Sequence, residues 1–258
     1  MMTSPEVPVI RKLEELSFRT WPPRETGRIG NWVVGATDGF TRRANSAHAL
    51  GDPGLPLETA VDALEAWHRA RGIAPCVKIC PASPPGLDAL LESCGWEVRT
   101  PATVMTLDLT GSVTTGIVLP SVDSVPSSAW LSLSASWEGR SPCSVSHHAA
   151  LLSRIPRPGI VTFEEVGIPC ASGVCALDGR DAFLYDLVVD PARRGGGFGR
   201  SLTRGMLAWA ASLGATRAVL QVLDTNAVAR GLYESLGFEA HHGYHYRQAP
   251  GSCGTQGC

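Results

Sequence analysis

Residues 189–202 read V-D-P-A-R-R-G-G-G-F-G-R-S-L, the densest cluster in the chain of groups able to do chemistry. An apolar run over 183–189 stops at Asp190 and Pro191, a glycine-dense turn follows, and an amphipathic pattern begins at Gly199. A strand that turns into a helix in this way aims unpaired backbone N–H groups and the positive end of the helix dipole at one spot. Such a spot suits a phosphate or pyrophosphate. Gly195, Gly196, Gly197 and Gly199 let the backbone come close to a ligand, and Arg193, Arg194 and Arg200 bring positive charge. No Gly-Lys-Ser/Thr closes the run, so it is not a Walker A loop. No glycine occupies position 202, so it is not the G-x-G-x-x-G dinucleotide turn either.

The elements around this turn follow from periodicity. The helix from Gly199 stops at Leu213-Gly214, and 216–223 is rich in β-branched and aliphatic residues and reads as a strand. Asp224-Thr225-Asn226 caps a further helix, with Val228, Ala229, Leu232, Tyr233 and Leu236 on one face and Gly237 at its end. Upstream, 160–165, 168–177 and 182–189 read as a meander with turns at Gly167 and Asp178-Gly179. Helices are predicted over 127–137 and 146–153, the second preceded by a Ser/Pro loop over 139–144, and 241–247 reads as a last strand.

Two strings within this layout carry a resemblance. R-x-x-G-x-G is filled by Arg194, Gly197 and Gly199, and N-x-x-A-x-x-x-Y-x-x-x-G-F by Asn226, Ala229, Tyr233, Gly237 and Phe238. In this order, with a helix and a strand between them, they resemble the GNAT superfamily of acetyl-CoA-dependent N-acetyltransferases, over roughly residues 115–247. The resemblance implies an α/β (α+β) GNAT fold, a mixed and mostly antiparallel twisted sheet flanked by helices. It implies backbone contacts from Leu187, Val188 and Val189 to the acyl carbonyl and pantetheine, and a pyrophosphate held by Arg194, Gly195, Gly196, Gly197, Phe198, Gly199 and Arg200. Asn226 is then a contact near the cofactor, and Tyr233 gives a proton to the departing thiolate; the other reading of Tyr233 is a core aromatic on a helix face.

The general base is harder to find. In the ribosomal-protein N-terminal acetyltransferases, which the C-terminal half resembles in places, a glutamate lies five residues before the motif asparagine. Here Gln221 stands there, and an amide does not accept the proton. Asp186, in the strand before the loop, acts as the base directly or through a water, or else is a structural acceptor. Glu164 and Glu165 are further candidates.

The N-terminal half echoes the C-terminal one. Leu90-Leu91-Glu92-Ser93-Cys94-Gly95-Trp96-Glu97 answers to Leu232-Tyr233-Glu234-Ser235-Leu236-Gly237-Phe238-Glu239, an offset of 142 between Gly95 and Gly237. The same offset carries Leu57, Val61, Leu64 and Trp67 onto the helix after the glycine loop, and 77–79 onto 219–221. At the loop position this copy holds Gly51-Asp52-Pro53-Gly54-Leu55-Pro56. Its prolines lack the N–H donors that a pyrophosphate needs. Pro84 stands for Asn226 and Leu91 for Tyr233, so the sequence predicts a tandem whose degenerate first copy binds no acetyl-CoA. Strands are predicted over 28–36 and 40–47, with the polar run 41–46 on or just beyond a central strand.

The expected organisation is a degenerate domain over 1–110, a catalytic domain over 111–248 and a flexible tail over 249–258. A length of 258 residues suits two domains, and 18% charged and 44% hydrophobic residues describe a soluble globular chain. The net charge of −2 gives no reason to expect nucleic acid, and no basic run or long apolar stretch suggests a membrane. A cytoplasmic protein, monomer or homodimer, is expected. The eight cysteines form no C-x-x-C pair and read as thiols. His241, His242 and His245 cluster without a neighbouring carboxylate or cysteine at ligand spacing, so no metal is expected. The His/Tyr-rich strand (His241 to Tyr246) and 136–144 are expected to border the acceptor site. Two function classes stay open: an enzyme that acetylates a primary amine of a small molecule, amino acid or peptide, and a non-catalytic acyl-CoA-binding sensor.

Overall fold

The computed structural model describes residues 6–111 and 119–250. The strand expected at 115–119 falls almost wholly outside these residues, as does most of the expected tail. The chain divides into two compact units, one of residues 1–103 with 242–258 and one of 104–241.

The first unit opens with α1 (Val7–Thr20), then the hairpin β1 (Glu25–Ile29) and β2 (Trp32–Ala36). It continues through β3 (Ala47–His48), α2 (Leu57–Arg69), β4 (Cys76–Ile79) and α3 (Leu87–Ser93) to β5 (Glu97–Asp108). Its strands run in the order β1-β2-β3-β4-β11, where β11 is Glu239–Gln248. All pairs are antiparallel except β3 with β4. α2 turns Ala60, Val61, Leu64 and His68 inward at helical spacing, onto a core with Trp32, Val77, Leu87, Leu91 and Trp96. The predicted strand over 40–47 is largely absent. Arg42–Ala44 is a 3-10 turn, because the Asn45 side chain accepts from the N–H of Thr37 and Gly39 and donates to the carbonyls of Phe40 and Thr41.

The second unit contains β6 (Ser121–Asp123), α4 (Ser128–Glu138), α5 (Pro142–Leu152), β7 (Pro158–Glu165), β8 (Ile168–Asp178) and β9 (Asp181–Val189). After them come α6 (Phe198–Ser212), β10 (Arg217–Leu223) and α7 (Ala227–Ser235). Strand order is β5-β10-β9-β8-β7-β6, a mostly antiparallel sheet with β9 and β10 parallel, as expected. α6 buries Leu202, Met206, Leu207 and Ala210 against the sheet residues Val161, Cys175, Leu184 and Leu220. α5 begins four residues before the predicted helix. Pro142 occupies its first turn and the Ser141 hydroxyl caps it, so residues read as a Ser/Pro loop are a helix start.

The two halves repeat each other in the way the sequence predicts. Adding 142 to α2, β4, α3 and β5 lands each within two residues of α6, β10, α7 and β11. Their last strands are exchanged. β5 lies beside β10 and β11 beside β4, so each chain half finishes the sheet of the other. For this reason the contact division falls at 103/104 and not at the expected 110/111, and it returns 242–250 to the first unit.

A buried charge cluster crosses the first unit. Glu14 of α1, 1% exposed, lies 2.5 Å from Lys78 Nζ on β4 and 2.9 Å from His242 Nε2 on β11. Lys78 also sits 3.9 Å from the centre of the Tyr244 ring. Cys76, Cys80, Cys94, Cys170 and Cys175 are free thiols, whereas Cys143 is disulfide-bonded, against the sequence reading. Among the described residues no helix is long and apolar enough to cross a membrane.

Candidate functional site

The site grows out of a fault in the sheet. β9 pairs with β10 from Asp181–Arg217 to Leu184–Leu220, and the pairing stops there. On its other side β9 carries a bulge, since Ser172 faces Val188 while Val174 faces Tyr185. Asp186 and Leu187 thus share the space opposite Gly173. Asp186 takes φ +50°, a left-handed conformation that costs a non-glycine residue about 1 kcal/mol or more. Past Leu184 β9 has no partner on the β10 side, and Leu187, Val188 and Val189, the last two still paired with Ser172 and Ala171 of β8, line an open cavity of about 840 Å³.

Beyond it the chain builds the anion cradle. The Asp190 carboxylate accepts from Ala192 N–H and fixes a 3-10 turn at Pro191–Arg193. Gly197 is the N-cap of α6 at φ +82°, where a side chain is strained. The first pairings of α6 run from Arg200 and Ser201 N–H to Gly197 O. Helix geometry therefore leaves the N–H groups of Gly197, Phe198 and Gly199 without a carbonyl, on the cavity wall. At Gly199 a Cβ would lie 3.3 Å from Leu232 and 3.5 Å from Val189, so glycine permits the close approach of α6 to both.

The three arginines divide their work. Arg193 is spent within the fold, on Glu165, Asp190 and the Cys170 sulfur. Arg200 donates to Ser235 Oγ at 2.8 Å. Arg194 is exposed, lines the cavity and makes no ion pair among the described residues. Of the expected cofactor set, Leu187, Val188, Val189, Arg194, Gly195, Gly197, Phe198, Gly199, Arg200 and Asn226 all line this cavity. Gly196 does not: it lies beneath the Phe198 ring, 2.8 Å from where its Cβ would be. Asn226 caps α7 through its side-chain oxygen, which accepts from Ala229 N–H at 3.1 Å.

Tyr233 lies on the same cavity wall. It is 8% exposed, packs edge-on to Phe238 at 5.8 Å, and lines the cavity with no hydrogen bond on its hydroxyl among the described residues. Burial pushes its phenol up to about 12, so it is a protonated donor at neutral pH.

Asp186 does not line the cavity; it belongs to a cluster that sequence reasoning missed. Its Oδ2 lies 2.7 Å from His148 Nε2 of α5 and 3.3 Å from Arg140 Nη2 in the α4–α5 turn. Arg140 also pairs with Glu138 and donates to His148 Nδ1. Burial first, and the Asp186 carboxylate second, push Glu138 up to about 7, against the pull of Arg140. The only sequence signals were a histidine inside an apolar helix and a charged pair at the end of the one before it. Glu164 and Glu165 lie at the far end of β7, Glu165 paired to Arg193.

The corresponding place in the first unit is closed. Ala47 pairs with Val77 where Phe183 pairs with Val219, so six residues of the second half, between strand and helix, have no counterpart. Gly51 N–H donates to Ala82 O at 2.8 Å, across the gap that stays open in the second unit. Gly54 N–H is taken by Asp52 Oδ1, and Pro53, Pro81, Pro84 and Pro85 line what space remains. The His/Tyr-rich strand is likewise absorbed by the first unit and is not a border of the cavity. His242 meets Glu14, His245 meets Asp88, and Tyr244 lies under Lys78.

Residues 8–247 match the family model described as "Probable histone acetyltransferase Rv0428c C-terminal". The "Uncharacterized N-acetyltransferase YobR" of Bacillus subtilis is 29% identical over 249 residues, 92% of this chain and 98% of that one. The fold is similar to that of a GCN5-related N-acetyltransferase from Kribbella flavida, with a TM-score of 0.67 at 18% identity, over 93% of this chain and 95% of that one. It is also similar to a tandem GNAT protein from the clavulanic acid biosynthesis pathway, with a TM-score of 0.58 at 17% identity, over 93% and 88%.

Proposed function

The chain belongs to the Rv0428c C-terminal family of the GNAT superfamily, and from that premise we propose that the second unit binds acetyl-CoA in its cavity and moves the acetyl group to a primary amine. The observation that carries the reading is the cradle itself. Three helix N–H groups without a carbonyl, an Arg194 without an ion pair among the described residues and the hydroxyl-bearing Tyr233 all line one cavity. The residues fit a pyrophosphate with a thioester arm, since the donors and the charge sit at the helix N-terminus and the inner wall is apolar. Residues 187–189 would receive the arm along the edge that β10 leaves unpaired, and the acyl carbonyl would take a donor from it.

Chemistry needs a proton removed from the amine and one given to the departing sulfur. Tyr233 supplies the second, its phenol being protonated at neutral pH and without a hydrogen bond among the described residues. The first falls to the carboxylate cluster around Asp186. A sensor that holds the acyl group without transferring it has no use for a poised carboxylate beside the bulge, so the enzyme reading is preferred. The acceptor is a small molecule or peptide amine, approached in the cytoplasm. Calorimetric titration with acetyl-CoA tests the reading: one site per chain is expected, two would restore the first unit as a binder, and none would remove the assignment.

A further inference from the structure

Two carboxylates stand beside the bulge, and their surroundings differ. Asp186 is held from two sides, by His148 Nε2 at 2.7 Å and Arg140 Nη2 at 3.3 Å, with its side chain 14% exposed. Because an arginine only donates, His148 Nδ1 accepts from Arg140, and Nε2 is the ring atom that faces Asp186. Among the described residues Glu138 has Arg140 Nε alone as an ion-pair partner, and its side chain is more open, at 21%. It closes α4, which packs on β9, and through Arg140 it shares a partner with Asp186, one residue before Leu187 on the cavity wall.

We propose that Glu138 is the group that takes the proton from the acceptor amine, while Arg140 and His148 are positioning residues that hold Asp186 beside it. The proposal rests on the reading that the cavity binds acetyl-CoA. Glu138 carboxylate accepts a proton from the ammonium form of the acceptor. The freed nitrogen lone pair attacks the thioester carbonyl carbon, a C–N bond forms and the C–S bond breaks. The thiolate takes the Tyr233 proton, the nitrogen gives up its second proton, which by way of solvent restores the Tyr233 phenol, and Glu138 releases its proton to solvent, so that one proton is released overall. The two carboxylates differ in environment, Asp186 lying against two basic side chains and Glu138 against one. The groups that face Glu138 among the described residues are Asp186 from β9, Arg140 from the turn and, through Arg140, His148 from α5. Asp186 raises the proton affinity of Glu138 and Arg140 lowers it.

The test is the pH dependence of thiol release by the full chain with acetyl-CoA and a panel of lysine, spermidine and an alanyl dipeptide. The wild type should lose kcat/KM on the acid side of neutrality. E138Q should remove that limb and lower kcat/KM at pH 7 about 100-fold, with acetyl-CoA affinity by calorimetry unchanged, and E138D should keep the limb. D186N should move the limb to lower pH and R140Q to higher pH, opposite displacements that ionisation of the amine itself does not produce. An E138Q enzyme that keeps the limb, or a D186N enzyme that loses it, overturns the assignment and leaves the acetyltransferase reading standing. A wild type that binds acetyl-CoA and turns over none of the panel overturns both.

Discussion

Tyr233 shows how one side chain serves two ends. Its ring packs on Phe238 inside the second core while its hydroxyl belongs to the cavity. Tyr233→Phe keeps the ring and removes the proton, so kcat should fall about 100-fold with acetyl-CoA affinity unchanged. Parallel loss of rate and affinity would make it a packing aromatic. Tyr233 and Arg194 were legible in the sequence because their spacing to glycine is set by one helix turn, a local matter. Glu138, Arg140 and His148 were not, because only tertiary placement of α4 and α5 brings them to Asp186. Asp186 was legible as a carboxylate near the loop, but its left-handed backbone and its neighbours Arg140 and His148 were not.

At the level of elements, the glycine loop depends on one conformation. Gly197 sits at φ +82°, and proline locks φ near −65°. Gly197→Pro should abolish acetyl-CoA binding in calorimetry while the melting temperature falls by only a few degrees. An unchanged dissociation constant would remove the cradle. Helix ends were read well because Gly214 and Gly237 stop α6 and α7 in the left-handed region. The start of α5 was missed because Pro142 was taken for a breaker where it is an N-terminal residue. β3 was overestimated because β-propensity over 40–47 lost to the network of Asn45, a polar contest that no periodicity reports.

The whole molecule stakes the first unit on buried charge. Burial alone would raise the Glu14 carboxyl, but Lys78 and the hydrogen bond from His242 overcome it and hold the group well below the carboxylate range. Glu14→Gln would strand Lys78 in the core, and a loss of about 3–5 kcal/mol is expected in urea unfolding. The pair Glu14→Gln with Lys78→Met should recover most of it; equal instability of both variants would mean that the charges contribute little. His48 and His68 are pushed down by burial, to about 3 and about 4, below the ordinary value near 6.5. The unfolded chain therefore binds more protons below pH 6.5, and stability falls as pH drops from there toward 4. The expected slope is up to about 1.4 kcal/mol per pH unit for each ring. A flat stability profile over that range would contradict the neutral, buried rings. The repeat was visible in the sequence, but the exchange of its last strands was not. β5 and β11 carry similar patterns, and the backbone ladder accepts either one beside β4 or β10.

That exchange sets an order of events on the ribosome. Residues 239–248 leave the exit tunnel after every other described strand, yet β4 and the Glu14–Lys78 pair wait for them, because His242 completes the cluster and Arg247 pairs with Asp88. The half of the protein that is made first is therefore finished last. Throughout elongation Lys78 lies without its full set of partners, and the edge of β4 stays open to other chains. Nascent chains arrested just before residue 239 should be cleaved readily within 1–103 by added protease, and release of the last strand should confer protection in one step.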